Sequence, residues 1–507
     1  MSTGLTRGVT LSGLEGAVVD VEADVSLGLP AFTVTGLADT TVGEARDRIR
    51  AAASNAGVPL PSRRLTVNLS PAWMPKAGSA FDLPMVVALL AAAQEVPPSV
   101  RGVVHLGELS LDGAVKGVRG VLPCVRAAVE AGHRRIIVPA VNVREARLVD
   151  GAQVLGVHHL AEVVTFHRGE LLLQHDLEGP TDQPPSDERD LVDVAGQAEG
   201  RFALEVAAAG GHHLFLSGPP GAGKTMLAER LPGLLPPLPD DQALEVTSIA
   251  SVMSNEAAPL GLVRRPPYVA MHHGVTMSAM VGGGSGRPSP GAVTAAHRGV
   301  LFLDEAPEFA SHVLNSLRQP LESGTVTIGR TDRMLTFPAR FQLVLAANPC
   351  PCGRAVGKGL GCTCTVNQRR GYLGRLAGPL LDRIDLQLSV PAVSRLELVE
   401  ADPETSAVVA SRVAAARAVA AERYAGERWS LNGEVPPGRL RRGPLRPSRR
   451  ATQLLDRTLD RGGVTLRGYD RVTRVAWTLA DLAGHPSPTK DDIDQALTLR
   501  GAAEVAA

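Results

Sequence analysis

The sequence predicts an α/β protein with two layered domains and a helical C-terminal region. Three observations predict it. Strand-like and helix-like runs alternate in two separate blocks, at 1–169 and 192–393. A glycine-rich loop in the second block stands between a short apolar strand and a helical pattern. From 394 to 507 the apolar spacing is mostly helical, broken by the Pro/Gly/Arg stretch LNGEVPPGRLRRGPLRPSRR, which reads as a loop. A length of 507 residues allows two to four domains at roughly 150 residues each.

In the first block, VTLSGLEGAVVDVEADV, AFTVTGL, RLTVNLS, VVHLGELSL and RIIVP read as strands. VGEARDRIRAAASNAG and DLPMVVALLAAAQ read as helices. A Pro-, Asp- and Glu-rich segment at 170–191 reads as a solvated linker. The longest apolar run, Leu83 to Ala93, is too short to span a bilayer. The N-terminus shows no apolar segment followed by a cleavage site, and five cysteines make no secreted disulfide framework. The expectation is a cytoplasmic protein with no membrane partner.

Lys+Arg and Asp+Glu each total 52, for a net charge of zero, with 44% apolar and 21% charged residues. That is a globular composition. Aromatics at 3% argue against a reader that stacks on bases. The zero is a cancellation: 1–190 holds 17 basic and 22 acidic residues, 191–400 holds 18 and 17, and 401–507 holds 17 and 13. Most of the basic residues are arginine, which a GC-rich genome also produces.

The strongest motif is HHLFLSGPPGAGKTMLAERL. Gly218, Pro219, Pro220, Gly221, Ala222, Gly223, Lys224 and Thr225 fit a phosphate-binding loop between strand and helix. Its backbone N–H groups and the helix N-terminus suit phosphates. Lys224 would reach the β- and γ-phosphates of ATP, and Thr225 would ligate Mg²⁺. In GVLFLDEAPEF an apolar strand ends at Asp304 and Glu305. Asp304 would hold Mg²⁺ and Glu305 would polarise the attacking water. A third apolar strand, in FQLVLAANPCPCG, ends at Asn348, an amide placed to orient water or sense the γ-phosphate. Arg383 in GPLLDRIDL is either an arginine finger for a neighbouring subunit or an ion-pair partner of Asp382 or Asp385. Arg467, Arg471 and Arg474 fall on one helix face, for nucleotide contact or surface ion pairing.

Cys350, Cys352, Cys362 and Cys364 form two close pairs. Four thiolates suit tetrahedral Zn²⁺, although the C-x-C spacing is shorter than the common zinc spacing; a redox pair and inert thiols are the alternatives. The fifth, Cys124, reads as core. Around the cluster, 333–381 carries Arg333, Arg340, Arg354, Lys358, Arg369, Arg370 and Arg375 and no acid. A basic knuckle on phosphates and a solvated Arg-rich loop both fit. RLRRGPLRPSRR, with six arginines at 439–450, allows the same two readings.

These motifs, with GLPAFTVTGLADTTVGEARDRIRAAASNAG and RLTVNLSPAWMPKAGSAFDLP near the N-terminus and LRGYDRVTRVAWTLADLAG near the C-terminus, make the chain resemble the ComM-type (YifB) magnesium-chelatase-like AAA+ ATPases over nearly its whole length. The resemblance implies a Lon-protease-like α+β domain at 1–169, the linker, an AAA+ core at 192–393 and a helical lid at 394–507. It implies a homo-hexameric ring that uses ATP and Mg²⁺ to move on branched or single-stranded DNA, in recombination of incoming DNA during natural transformation. Arg383 becomes the finger and Arg467 the lid sensor by the same resemblance. A finger needs a neighbour, so a closed heterologous ring follows. Rivals are a chelatase-type motor and a protein remodeller.

Two departures matter. Before the Asp304 strand the family carries P-H-H-T and then P-G-E-I-S; here His272 and His273 remain, but the glutamate is Ala292. That segment is an insert facing the ring's pore in the family reading, so its hold on DNA is in question. Lon-type proteolysis uses a Ser–Lys pair. Here Ala80 stands at the serine position, Ser79 lies one residue away, and the lysine position falls near Leu122 with Lys116 upstream. The expectation is a protease-like scaffold without proteolysis.

Overall fold

The computed structural model describes the chain except residues 1, 37–38, 72–73, 75, 77–78, 171–188, 255–260, 285–288, 331–332, 356–360, 377–379, 395–396, 398–402 and 502–507. The linker expected at 170–191 falls mostly on 171–188, and Lys358 on 356–360, both outside the described residues. Two compact units emerge: Met1–Pro184 with Pro239–Val263, and Pro185–Leu238 with Arg264–Ala507.

The first unit is built on β1 (Ser2–Ser12), β2 (Glu15–Ser26), β3 (Ala31–Thr35), β4 (Arg64–Ser70), β5 (Val104–His105), the short pair β6 (Glu108–Leu109) and β7 (Val115–Lys116), β8 (Arg135–Pro139) and β9 (Gln153–Val157). Seven of these form a mixed sheet in the order β3-β4-β2-β1-β5-β8-β9. The apolar helix Asp82–Ala92 is buried at every residue and lies directly on β1. Gly4 permits that approach, since a Cβ there would sit 2.0 Å from the Ala88 carbonyl oxygen. Asp82 is buried with Arg48, whose guanidinium donates to both carboxylate oxygens at 2.7 and 3.2 Å. Burial pushes Asp82 up to about 6 despite that partner.

Helix Val121–Glu130 carries Cys124 into a second cluster with Leu122 and Val125, as a core cysteine. The helix Asp240–Met253 also belongs to this unit: Leu244 packs on that cluster, and the Gly120 amide donates to Ser251 O at 3.0 Å. Ala80 lies in a short 3-10 turn, the Ser79 hydroxyl bonds to Glu108, and Leu122 is fully buried. Lys116 is exposed and pairs across the short hairpin with Glu108.

The second unit contains β10 (Leu214–Ser217), β11 (Tyr268–Met271), β12 (Gly282–Gly283), β13 (Ser289–Pro290), β14 (Val300–Leu303), β15 (Thr325–Arg330), β16 (Arg333–Pro338), β17 (Gln342–Ala347) and β18 (Leu386–Ser389). Five of them form an all-parallel sheet in the order β11-β14-β17-β10-β18. Every residue of β14 and β17 is buried, the continuous apolar pattern of strands covered on both faces. Register aligns Ser217 with Ala347 and Leu303 with Leu345, so β10, β17 and β14 end side by side. β15 and β16 make a hairpin that leaves Met334 73% exposed. Four long C-terminal helices, Ser406–Arg423, Gln453–Asp460, Leu466–Ala483 and Lys490–Leu499, share one core with the sheet: Val413, Val472, Val475 and Ile493 cluster with Leu204, Leu214 and Leu216.

A buried electrostatic lock ties those helices to β18. Arg471 reaches Asp385 at 2.5 Å and the Asp382 carbonyl at 2.6 Å. Burial alone would raise Asp385, but Arg471 and the imidazoles of His212 and His213 hold it well below the ordinary carboxylate range. Arg474 points inward too, donating twice to Val435 O at 2.9 and 2.5 Å. The Arg467–Arg471–Arg474 face is therefore turned mainly into the unit rather than to surface ion pairing, because the buried Asp385 requires a counter-charge. Among the described residues no helix is long and apolar enough to cross a membrane.

Candidate nucleotide site

In open parallel sheets, ligands sit beyond the carboxyl ends of the strands. Here β10 ends in the loop 218–223, and helix Lys224–Leu234 begins at once with Gly223 as its N-cap. Gly221 and Gly223 have φ of +77° and +89°, which only glycine adopts freely, and a Cβ at either would meet nothing within 4 Å. The loop's outer side is thus open to a ligand. Gly218 is required for the opposite reason: a Cβ there would lie 2.1 Å from Val390 O beyond β18.

Lys224 Nζ donates to the carbonyls of Gly218 (2.7 Å) and Pro219 (2.9 Å) and to Asn348 Oδ1 (3.2 Å). Burial lowers its pKa from the ordinary lysine value, opposed by the charges of Asp304 and Glu305. Thr225 Oγ1 donates to Asp304 Oδ2 at 2.8 Å. Glu305 holds a left-handed backbone, φ +50°, and its amide donates to Asp304 Oδ1 at 2.8 Å. That conformation is costly for a non-glycine residue and typical of functional turns. Lys224, Thr225, Asp304, Glu305 and Asn348, separated by up to 124 positions, therefore meet at the ends of three adjacent strands. The open glycine loop, the cation and the hydroxyl–carboxylate pair fit a nucleoside triphosphate with Mg²⁺.

Four further residues shape the site, and only His273, kept from the P-H-H-T pattern, has a motif to announce it. Gln197 Nε2 donates to Ala222 O at 3.1 Å and Pro391 O at 2.5 Å, bracing the loop. His273 Nδ1 lies 3.3 Å from a Glu305 carboxylate oxygen. The buried Tyr372 hydroxyl stands by the backbone N–H of Asn348, and burial pushes its pKa up to about 12. Glu322 binds the Arg383 guanidinium, not the Asp382 or Asp385 expected from chain proximity. Asp385 is engaged by Arg471 instead, and a partner on another element leaves no trace in local spacing.

Arg383 and Arg467 line one groove with Leu321, Glu322, Pro437 and Asp470, and no residue of the phosphate loop lines it. Arg467 is 66% exposed, 3.9 Å from an Asp382 carboxylate oxygen. In the segment before β14, His272 and His273 directly follow β11, and Ala292 opens a short buried helix, Ala292–Ala295. The intervening 285–288 lie outside the described residues.

The sulfur atoms of Cys350, Cys352, Cys362 and Cys364 lie within 4.8 Å of one another. Of the basic residues around them, Arg354 and Arg370 are exposed and Arg375 reaches Glu308 at 3.5 Å. In the second basic run Arg439 pairs with Glu427 and Arg441 with Asp470, while Arg442, Arg446, Arg449 and Arg450 are exposed.

Three family models match the chain. Magnesium chelatase, subunit ChlI, covers 190–398; subunit ChlI of Mg-chelatase covers 21–142; and the subunit ChlI C-terminal model covers 403–500. An uncharacterized protein of Mycobacterium tuberculosis is 48% identical over 501 residues, 99% of each chain. YifB of Escherichia coli is 40% identical over 509 aligned residues, spanning 99% of this chain and 97% of its own. The competence protein ComM of Haemophilus influenzae is 39% identical over 507 residues, 99% and 98% of the two chains. A shorter stretch of 173 residues is 29% identical to the Lon protease of Mycolicibacterium smegmatis, 32% of this chain and 22% of that one.

Proposed function

The chain belongs to the ComM-type magnesium-chelatase-like AAA+ ATPase family, and from that premise we propose that it is an ATP-hydrolysing motor acting on branched or single-stranded DNA as a hexameric ring. The observation that carries the hydrolytic part is the meeting of Lys224, Thr225–Asp304, Glu305 and Asn348 at adjacent strand ends. Lys224, now folded onto loop carbonyls, turns to the phosphates of bound ATP. Thr225 and Asp304 would hold Mg²⁺, which when bound offsets phosphate charge as a Lewis acid. Glu305 accepts the proton of the attacking water, and Asn348 fixes Lys224 and that water. Arg383, freed from Glu322, would reach a neighbour's nucleotide and offset transition-state charge. Arg467, in the same groove, would serve the same nucleotide.

The DNA part is supported by the relative named for competence and by exposed arginines in a stretch without acids. Such a surface tracks phosphates rather than bases. On this reading the first unit is a proteolytically inactive scaffold, as the buried Leu122 and the Ser79–Glu108 bond support. The family models' chelatase name keeps one second reading, a motor driving Mg²⁺ into a porphyrin; stimulation by porphyrin with partner subunits but not by DNA would favour it.

Glu305→Gln tests the hydrolytic part. It should bind ATP yet turn over about 10²–10⁴-fold more slowly, the usual weight of a general base. Lys224→Ala should abolish turnover, and full ATPase activity in that variant would refute the nucleotide site.

A further inference from the structure

We propose that Cys350, Cys352, Cys362 and Cys364 bind one Zn²⁺, and that this metal clamps Asn348 and the phosphate loop in their working positions. The sulfur geometry comes first. Cys350 Sγ lies 3.3 Å from Cys352 Sγ and 3.7 Å from Cys362 Sγ, and Cys352 Sγ lies 3.6 Å from Cys362 Sγ. Four sulfurs about 2.3 Å from one zinc are about 3.8 Å apart along the edges of a tetrahedron. A disulfide would need about 2.05 Å, and all five cysteines are free.

Backbone N–H groups stand beside the sulfurs, those of Arg354 and Thr363 by Cys352, that of Cys364 by Cys362 and that of Cys352 by Cys364. N–H groups turned toward sulfur favour the anionic form that a metal requires. Each coordinating thiol gives its proton to solvent, so metal entry releases protons and leaves a net negative centre. The acid-free surroundings, with Arg354, Arg369 and Arg370 close in sequence, suit that charge.

Placement gives the site its role, which rests on the nucleotide reading above. The Cys350–Gly353 turn closes by a Gly353 N–H to Cys350 O bond of 2.9 Å. Gly353 has φ +73°, and a Cβ there would stand 2.7 Å from Pro220 of the phosphate loop. The buried Cys350 follows Asn348 by two residues, and Asn348 accepts from Lys224. Past the second cysteine pair, Tyr372 returns to the Asn348 amide, and Arg375 reaches Pro307 O and Glu308 just after Glu305. The cysteine loop thus touches the phosphate loop at one end and the acid-bearing turn at the other, and a metal on the four sulfurs would tie its two cysteine pairs together. Asn348 is here a positioned residue, and the cysteines act through it.

The experiment uses the full chain, purified under reducing conditions from zinc-containing medium without chelator. Metal analysis should find about one zinc per chain. Cys362→Ser/Cys364→Ser should lose the zinc and about tenfold in turnover while nucleotide affinity changes less than about threefold. Cys364→His still offers a zinc ligand, so it should recover metal and turnover together, and it serves if the double variant does not fold. Wild-type chain with no metal or with iron, or zinc-free chain turning over at the wild-type rate, overturns the proposal. Lys224→Ala should keep its zinc while losing turnover. Loss of turnover there with zinc retained separates this site from the nucleotide site, so either reading can fail without the other.

Discussion

At the residue scale the site depends on how few atoms hold Asn348. Its backbone N–H faces the Tyr372 hydroxyl, and its side-chain oxygen accepts from Lys224. Tyr372→Phe removes one neutral hydrogen bond, a loss of about 0.5–1.5 kcal/mol. Turnover should fall by about two- to tenfold with KM little changed, and steady-state kinetics on the purified variant checks it. Legibility divides along the same line. Gly218 to Thr225, Asp304, Glu305 and Asn348 could be picked out because each follows an apolar strand directly, and a parallel sheet brings such strand ends together. Tyr372, Gln197 and Glu322 could not, and the contact of His273 with Glu305 could not either. Each acts through one long-range contact, and nothing in its own neighbourhood of the chain encodes that contact.

At the element scale the helix Leu466–Ala483 is docked by charge as well as by apolar packing. Its Arg471 serves the buried Asp385, and Arg500 from the chain end donates to Ile384 O at 2.6 Å. Breaking a buried pair by removing one partner costs about 3–5 kcal/mol, so Arg471→Ala should lower the thermal midpoint markedly in calorimetry. His213 gives a pH signature. Its Nδ1 accepts from the Leu343 amide at 3.0 Å, and burial pulls its pKa down to about 4. The unfolded value is about 6.5, so the unfolded chain binds the proton first. Stability is full above about 6.5 and falls as pH drops through that window toward 4. Asp385, with its depressed pKa, adds a loss that begins as pH falls through the ordinary carboxylate range and continues below it. Denaturant melts of wild type and His213→Gln should differ in slope between these pH values. The helices were legible from their periodicity, and the inward turn of Arg471 and Arg474 was not. Spacing shows a shared face, while the buried acid that the face meets comes from β18.

At the scale of the whole molecule, the chain's two units interleave: helix Asp240–Met253 leaves the sequence of the second unit to pack in the first. An apolar helix face fits any core, so local pattern does not give that helix its destination. The zero net charge likewise conceals an uneven molecule, with exposed arginines gathered in acid-free segments. Arg383 and Arg467 share a groove that holds none of the phosphate loop. In the proposed ring, that groove would serve a neighbour. Arg383→Ala chains mixed with wild type should therefore depress turnover more than in proportion to their share. A strictly proportional decline in the mixing series would remove the finger role.

In the proposed motor, ATP hydrolysis at this site is coupled to DNA. ATP turnover of the wild-type chain should be measured with and without a four-way DNA junction, at fixed low salt because phosphate contacts weaken steeply with salt. The junction should accelerate turnover severalfold in the wild type, and turnover should be absent from Lys224→Ala with or without DNA. Turnover indifferent to DNA at every salt concentration, or equal in Lys224→Ala, would contradict it.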